Sequence, residues 1–306
     1  MKKNKLKTFK KKAYAQRYLF LLLLPCLAYY IIFKYIPMAG ITIAFKRYDF
    51  RLGIFDSPSV GLLYFKQFIK GPYFFRLVRN TFLLSLYNIL WSFPIPIIFA
   101  LLLNELRSEK FKKTVQTISY LPHFLSIVIV VGLLKQMLSP STGIINALIT
   151  KLGGQPINFF MKKEYFRTLY IASGIWQHFG WNAIIYIAAI AGIDQELYEA
   201  ARVDGAGRFR LMWHITLPGI LPTIIILLIL SLGNILTIGY TKVLLMYNPS
   251  IFETADVIST YVYRAGIENR NYSLGTAVDL MNSVISFIFI IITNKLSNKV
   301  SGYGLW

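Results

Sequence analysis

The sequence predicts an all-α integral membrane protein with six transmembrane helices. Of 306 residues, 56% are hydrophobic and 15% charged, and mean hydropathy is +0.53; a soluble domain mixes the two classes more evenly. The apolar residues gather in runs near the roughly 20 needed for a helix to cross a bilayer. Net charge is +20, from 33 Lys and Arg against 13 Asp and Glu. With spans filling most of the chain, that excess reads as membrane topology and attraction to anionic lipid, with no nucleic-acid partner.

Residues 1–17 form a basic tail holding Lys2, Lys3, Lys5, Lys7, Lys10, Lys11 and Lys12. The first span follows at 18–45. It is too long for the apolar region of a signal peptide and no small-residue cleavage site follows it, so it is retained. Pro25 before the single cysteine, Cys26, makes a poor lipidation site, and one cysteine allows no intrachain disulfide. Residues 18–79 are this span and an external loop. A five-span core occupies 80–293, with spans at 80–104, 117–138, 168–190, 216–238 and 277–293, and 294–306 is a C-terminal tail. Arg107, Lys110, Lys112 and Lys113 in the second loop place that loop with the basic tail in the cytoplasm. Alternation then puts both termini there, in a multi-pass membrane protein. Loop 1 runs against this rule with Lys46, Arg47, Arg51, Lys66, Lys70, Arg76 and Arg79. Lys34 and Lys135 lie near outer span ends, where their long stems reach headgroups.

Prolines recur inside the spans at 25, 37, 94, 96, 122, 218 and 222. Each removes a backbone bond and kinks its helix, which suits a bundle with a central cavity or moving parts. The external loops around "GGQPINFF" and "MYNPSIFETADV" carry the Gly, Pro, Asn and Tyr of a docking surface.

Between spans four and five lies a polar stretch, 191–215, containing "EAARVDGAGRFRLMWHITLP" at 199–218. Asp194 can cap a helix with Glu196 in its first turn. Leu197, Ala200 and Ala201 make a narrow apolar stripe, Gly205 permits positive φ, and a second short helix starts near Arg208. A stripe this small cannot fold alone. It packs on its own bundle, lies on the membrane, or enters a groove on another protein.

Glu199-Ala200-Ala201, three residues, Gly205, nine residues and then Ile215-x-Leu217-Pro218 resembles the EAA motif of permease subunits of binding-protein-dependent ATP-binding-cassette importers. Asp204 and Ala206 around the glycine match the sugar-transporting branch. "IIFKYIPMAGITIAFKRYDF", "SLGTAVDLMNSVISF" and terminal "GYGLW" are similar to polysaccharide-type, maltose-permease-like carbohydrate permeases. The resemblance implies a type I importer fold whose cytoplasmic coupling helix seats in an ATPase, with Glu199, Ala200, Ala201, Asp204, Gly205, Ala206 and Gly207 as coupling residues. It implies a place in the bacterial inner (cytoplasmic) membrane and, as partners, a second homologous permease, two copies of the ATPase, an extracellular substrate-binding (lipo)protein and an oligosaccharide. The chain has no G-x-x-x-x-G-K-[ST], so ATP and Mg would be bound by the partner ATPase, with no cofactor in this chain.

Polar groups inside spans are the candidates for the substrate path. In span four Gly174, Gln177, His178 and Trp181 share one helical face, with Asn182 beside it. Span five offers Ser231 and Asn234, and span six Asp279 and Asn282. Amides, hydroxyls and an aromatic face suit sugars. By the resemblance, the spans flanking the EAA loop line the path and the Ser231 region matches pocket positions. Each residue could instead bond helices together, and Asp279 could pair with Arg264 or Arg270. His123 and His214 read as interfacial. No catalytic motif or metal-ligand spacing occurs, so the chain is no enzyme. An ion-coupled secondary transporter of a polar solute is the alternative, and would need deeper ionisable groups than Asp279 alone. The sugar's length and charge stay open.

Overall fold

The structure, a computed structural model, describes residues 16–233, 235–236, 238–302 and 304. Every regular element among them is helical, with two isolated bridges, Lys46–Ser59 and Asp49–Gly53, beside the helices. The principal helices are α1 (Arg17–Tyr30), α2 (Phe74–Ser92), α3 (Pro94–Asn104), α4 (Glu109–Tyr120), α5 (Ile127–Met137), α6 (Phe166–Ala191), α7 (Gln195–Val203), α8 (Leu217–Gly233), α9 (Tyr240–Met246) and α10 (Tyr272–Ser301).

Four rods are long and apolar enough to cross a membrane: Arg17–Phe45, Phe74–Asn104, Arg208–Gly233 and Tyr272–Lys299. They match the first, second, fifth and sixth spans expected from the sequence. The third, expected as one crossing at 117–138, is instead two helices bent by 98°. Pro122 shortens the end of the first into a 3-10 turn, Leu121–Phe124, and Ser126 starts α5 by accepting the Ile129 N–H at 3.3 Å. The bent pair is a fifth rod if taken as one span. The fourth span corresponds to α6, whose 26 residues reach about 39 Å. Gln177, His178 and Asn182 make it less apolar than the other four.

The prolines act as the chemistry requires. Pro25 and Pro222 lie within helices, and Pro94 opens α3 after the junction at Phe93. Wide π turns, Ile31–Tyr35 and Met212–Thr216, stand just before Pro37 and Pro218. There the Ile36 and Leu217 N–H groups reach back to Ile31 and Met212 carbonyls, re-housing bonds that a proline cannot make.

Helix α6 is the hub, packing along α2, α3, α4 and α8. Lipid supplies no hydrophobic force between helices, so close packing and hydrogen bonds must hold them. Near the C-terminal end of α6, Ala183, Tyr186 and Ile190 meet Ala100 and Ile220. Near its N-terminal end, Phe166 and Ile171 meet Leu84, Val243, Ile251 and Val257. A third cluster, including Ala44, Phe68, Leu77 and Ala277, joins the end of the first rod to α10. Helix α1 itself buries no residue.

The segment 239–271, expected as an external docking loop, folds back as a packed cap. Asp256 is wholly buried and takes Arg76 at 3.0 Å and Arg264 at 2.8 Å. Asn80 donates to the Asp256 and Glu253 carbonyls, and Arg167 donates to the Asn80 side-chain oxygen. Burial works against the Arg264 charge, but its hydrogen bonds to Asp256 and Tyr247 outweigh that and hold its pKa up. At the rim, Lys163 and Glu253, 2.6 Å apart, hold the lysine pKa up and the glutamate pKa down.

Candidate functional site

Two regions at opposite ends of α8 carry polar chemistry or uncovered apolar surface, and a groove lies between them. The first is the elbow, 194–216. Asp194 Oδ1 accepts the Glu196 N–H at 3.0 Å and starts α7. The helix ends at Val203, and Gly205 has φ +78°, a left-handed conformation that costs other residues a Cβ clash. The Ala206 N–H closes the turn on the Ala201 carbonyl at 2.9 Å. The chain then enters Arg208–Leu211, which continues through the π turn into α8.

Glu199, Ala200, Asp204, Gly205 and Gly207 are exposed, and Ala201 and Ala206 half-buried. The elbow's anchor is Tyr198, a residue the sequence reading missed. Its ring is buried and its hydroxyl shares a 2.9 Å hydrogen bond with Thr216 Oγ1 at the entry to α8. A tyrosine among small and charged residues is the signal, since a buried phenol needs a polar partner. The stripe itself is not buried on its own bundle: Leu197 and Ala200 are exposed and Ala201 half-buried, while Tyr198 beside it is buried. Leu197, Val203 and Phe209 stay uncovered, at 54%, 88% and 77% exposure.

The groove runs between α2, α6 and α8. A cavity of about 470 Å³ is lined by Ser85, Asn88, Ser92, Asn182, Tyr186 and Ser231 among others. A second, about 190 Å³, is lined by His178, Gly174 and Lys242 and shares Asn88, Ser92, Tyr170 and Asn182 with the first. The shared walls make the two cavities one continuous groove.

Of the candidates named from sequence, Asn182, Ser231 and His178 line it. Ser231 also donates to the Leu227 carbonyl. Gln177 is buried and donates to the Leu125 carbonyl at 2.9 Å, satisfying the backbone at the α4–α5 break. Trp181 stacks on His123 with ring centroids 4.3 Å apart. His123 also lies 3.0 Å, Nδ1 to Nδ1, from His178, so it is part of an aromatic cluster and not a lone interfacial residue. Asn282 is buried and donates to the Leu236 carbonyl. Asp279 is exposed on α10, lines neither cavity and has no ion pair among the described residues. Asn234 lies outside the described residues.

Ser85, Asn88, Ser92, Tyr170 and Lys242 were missed. Ser85, Asn88 and Ser92 stand at i, i+3 and i+7 of α2, a helical-face spacing visible in the sequence. Lys242 follows α8, and its place in the groove depends on the chain turning back at Gly239.

A family profile described as "Binding-protein-dependent transport system inner membrane component" matches residues 68–302. The chain is 46% identical over 305 residues to the polygalacturonan/rhamnogalacturonan transport system permease protein YteP of Bacillus subtilis, covering 100% of this chain and 95% of the relative. It is 48% identical over 290 residues to protein LplB of the same organism, covering 95% and 91%. Among solved structures, one chain of a bacterial alginate ABC transporter, in complex with an alginate pentasaccharide-bound periplasmic protein, superposes with a TM-score of 0.88. Identity there is 41%, over 96% of this chain and 99% of that one.

Proposed function

The chain belongs to the family of binding-protein-dependent transport system inner membrane components, and from that premise we propose how its parts work. It is the permease subunit of a carbohydrate ABC importer, a non-catalytic membrane component that acts with an ATPase and a substrate-binding protein. We infer a type I arrangement with six spans, α6 and the bent α4–α5 pair completing the four apolar rods. Both termini lie in the cytoplasm. One second, homologous permease subunit and two ATPase copies complete the assembly, and α1, which buries no residue within this chain, is a surface for that second permease. ATP and Mg are bound by the ATPase. The substrate is an oligosaccharide, in keeping with relatives named for polygalacturonan, rhamnogalacturonan and alginate transport.

The observation that carries the mechanism is the elbow: held at Tyr198, uncovered at Leu197, Val203 and Phe209. Glu199, Ala200, Ala201, Asp204, Gly205, Ala206 and Gly207 form the turn that a cleft in the ATPase grips, and the small alanines let it approach closely. The Tyr198–Thr216 hydrogen bond ties α7 to the start of α8, and the other end of α8 carries Ser231 into the groove wall. Closure of the ATPase on ATP pushes the elbow, and α8 passes that displacement to the groove. The groove thereby opens to the binding protein in one state and to the cytoplasm in the other. His178, Asn182 and Ser231 meet the sugar's hydroxyls. Gln177 and Asn282 hold the helices that form the path. Trp181 braces the His123–His178 cluster beside the groove, Asp279 is an exposed acid of α10 that the passing sugar meets at the rim, and Asn234, outside the described residues, stays a path candidate from the sequence.

The test is uptake of a labelled oligosaccharide into proteoliposomes holding both permeases and the ATPase, with the binding protein outside and ATP inside. Gly205→Pro is expected to abolish uptake while the chain still inserts and assembles. Normal ATP-driven uptake by that variant would refute the coupling role.

A further inference from the structure

Among the described residues the groove walls are neutral except at one point: no aspartate or glutamate of these lines either cavity, and Lys242 is the one lysine or arginine among them that does. Its ammonium donates to the Tyr170 carbonyl at 2.7 Å and lies 4.5 Å from the centre of the Tyr170 ring. An ammonium has three N–H donors, and this is the one hydrogen bond it makes among the described residues. No carboxylate stands within ion-pair distance of it there; the buried cap acid, Asp256, is taken by Arg76 and Arg264. Its place is built on the α6 side as well. A Cβ at Gly174 would sit 3.1 Å from Nζ, so a side chain at 174 would push the ammonium a few tenths of an ångström from its present place.

An uncompensated cation in a confined site is costly to keep unless a ligand completes it. The groove around it supplies what a pyranose chain needs otherwise: amides at Asn88 and Asn182, hydroxyls at Ser92 and Ser231, and the Tyr170 ring. We propose that Lys242 is a specificity-determining residue of the groove, pairing with the carboxylate of a uronic-acid unit as an acidic oligosaccharide passes. This rests on the reading of the chain as an oligosaccharide permease and adds the charge of the cargo and the residue that reads it. The ammonium would hold the carboxylate by a charge-assisted hydrogen bond while the neutral walls slide along the sugar's hydroxyls. A fully neutral oligosaccharide would pass Lys242 without satisfying it, and a site whose polar group is left unpaired discriminates strongly.

The experiment uses the complete importer in proteoliposomes with its binding protein. The probes are trigalacturonate, its fully methyl-esterified form and maltotriose. Lys242→Gln is expected to lower trigalacturonate uptake about tenfold or more, the discrimination lost when a polar partner is removed. Uptake of the methyl ester should hold or rise, because the unpaired charge that opposes a neutral chain is gone. Lys242→Arg keeps the charge and is expected to keep most of the uptake. Gly174→Ala crowds the ammonium and is expected to lower trigalacturonate uptake with Lys242 intact, a second variant that serves should Lys242→Gln fold poorly. Trigalacturonate uptake within twofold of wild type in Lys242→Gln would overturn the proposal. So would equal loss of acid and ester, which marks a structural role, or a wild type that imports maltotriose and not trigalacturonate. A wild type that moves no oligosaccharide with ATP and binding protein present would instead strike the permease reading itself.

Discussion

The elbow at 194–216 and the cap at 239–271 sit at the two ends of the same helix, α8, and are held in opposite ways. The cap closes on itself. Asp256 is fully buried between two arginines, Asn80 fixes the backbone around it, and Ile251, Ala255 and Val257 are almost wholly covered. The elbow is held at its base, by Tyr198 on Thr216 and by the buried Leu211, and leaves Leu197, Val203 and Phe209 in the open. A chain that finishes one end of a helix and leaves the other uncovered has built a fixed end and a free end. Under the proposed coupling, force applied by the ATPase at the free end would move the helix against the fixed one.

Substitutions should separate the two ends, with stability lost at the cap and coupling lost at the elbow. The largest expected stability effect is Asp256→Ala. It leaves Arg76 and Arg264 without their counter-charge and should cost about 3–5 kcal/mol, as breaking a buried pair does. A lowered thermal midpoint in detergent checks this, and an unchanged midpoint would mean that the cap is not the fixed end. Tyr198→Phe removes one buried hydrogen bond and should cost about 0.5–1.5 kcal/mol. Here the ratio of sugar moved to ATP hydrolysed should fall, because α7 no longer grips Thr216. Val203→Ser and Phe209→Ser change side chains that touch solvent, so stability should stay within about 0.5 kcal/mol while ATP-driven uptake drops. A stability loss without a transport loss would reverse the assignment of the two ends. The smallest effect belongs to Lys163→Gln at the cap's exposed rim, where the pair with Glu253 is screened by solvent and the midpoint should not move. Any contribution from that pair fades as pH falls through the lowered Glu253 pKa, or rises through the raised Lys163 pKa.

Much of this was legible in the sequence. The apolar runs marked which segments form the four rods, because length and hydropathy alone decide what can cross a bilayer, although three of the rods start five or more residues before the expected spans. Asp194, Gly205 and Arg208 marked the elbow's start, turn and restart, because caps and positive φ are local properties. The break at Leu125–Ser126 was not legible, since Pro122 permits a kink or a full break and the choice depends on Gln177, 52 positions away, taking up the freed Leu125 carbonyl. The cap was hidden for the same reason. Asp256 reads as a loop acid until Arg76, 180 positions earlier, is brought beside it. The groove was half legible. Asn182, His178 and Ser231 were found by polarity within spans, whereas the Ser85, Asn88 and Ser92 face was overlooked by attending to the helices that flank the elbow. Lys242 enters only through the fold of the chain beyond α8.

The central claim, that the elbow's open face is the seat of the ATPase, is tested most directly by purifying the complete importer with Val203→Asp and Phe209→Asp together in this chain. The account predicts that the permease pair stays assembled with an unchanged thermal midpoint while the ATPase is lost on size-exclusion chromatography and uptake ceases. An ATPase that remains bound, with sugar entering at the wild-type rate, would contradict it.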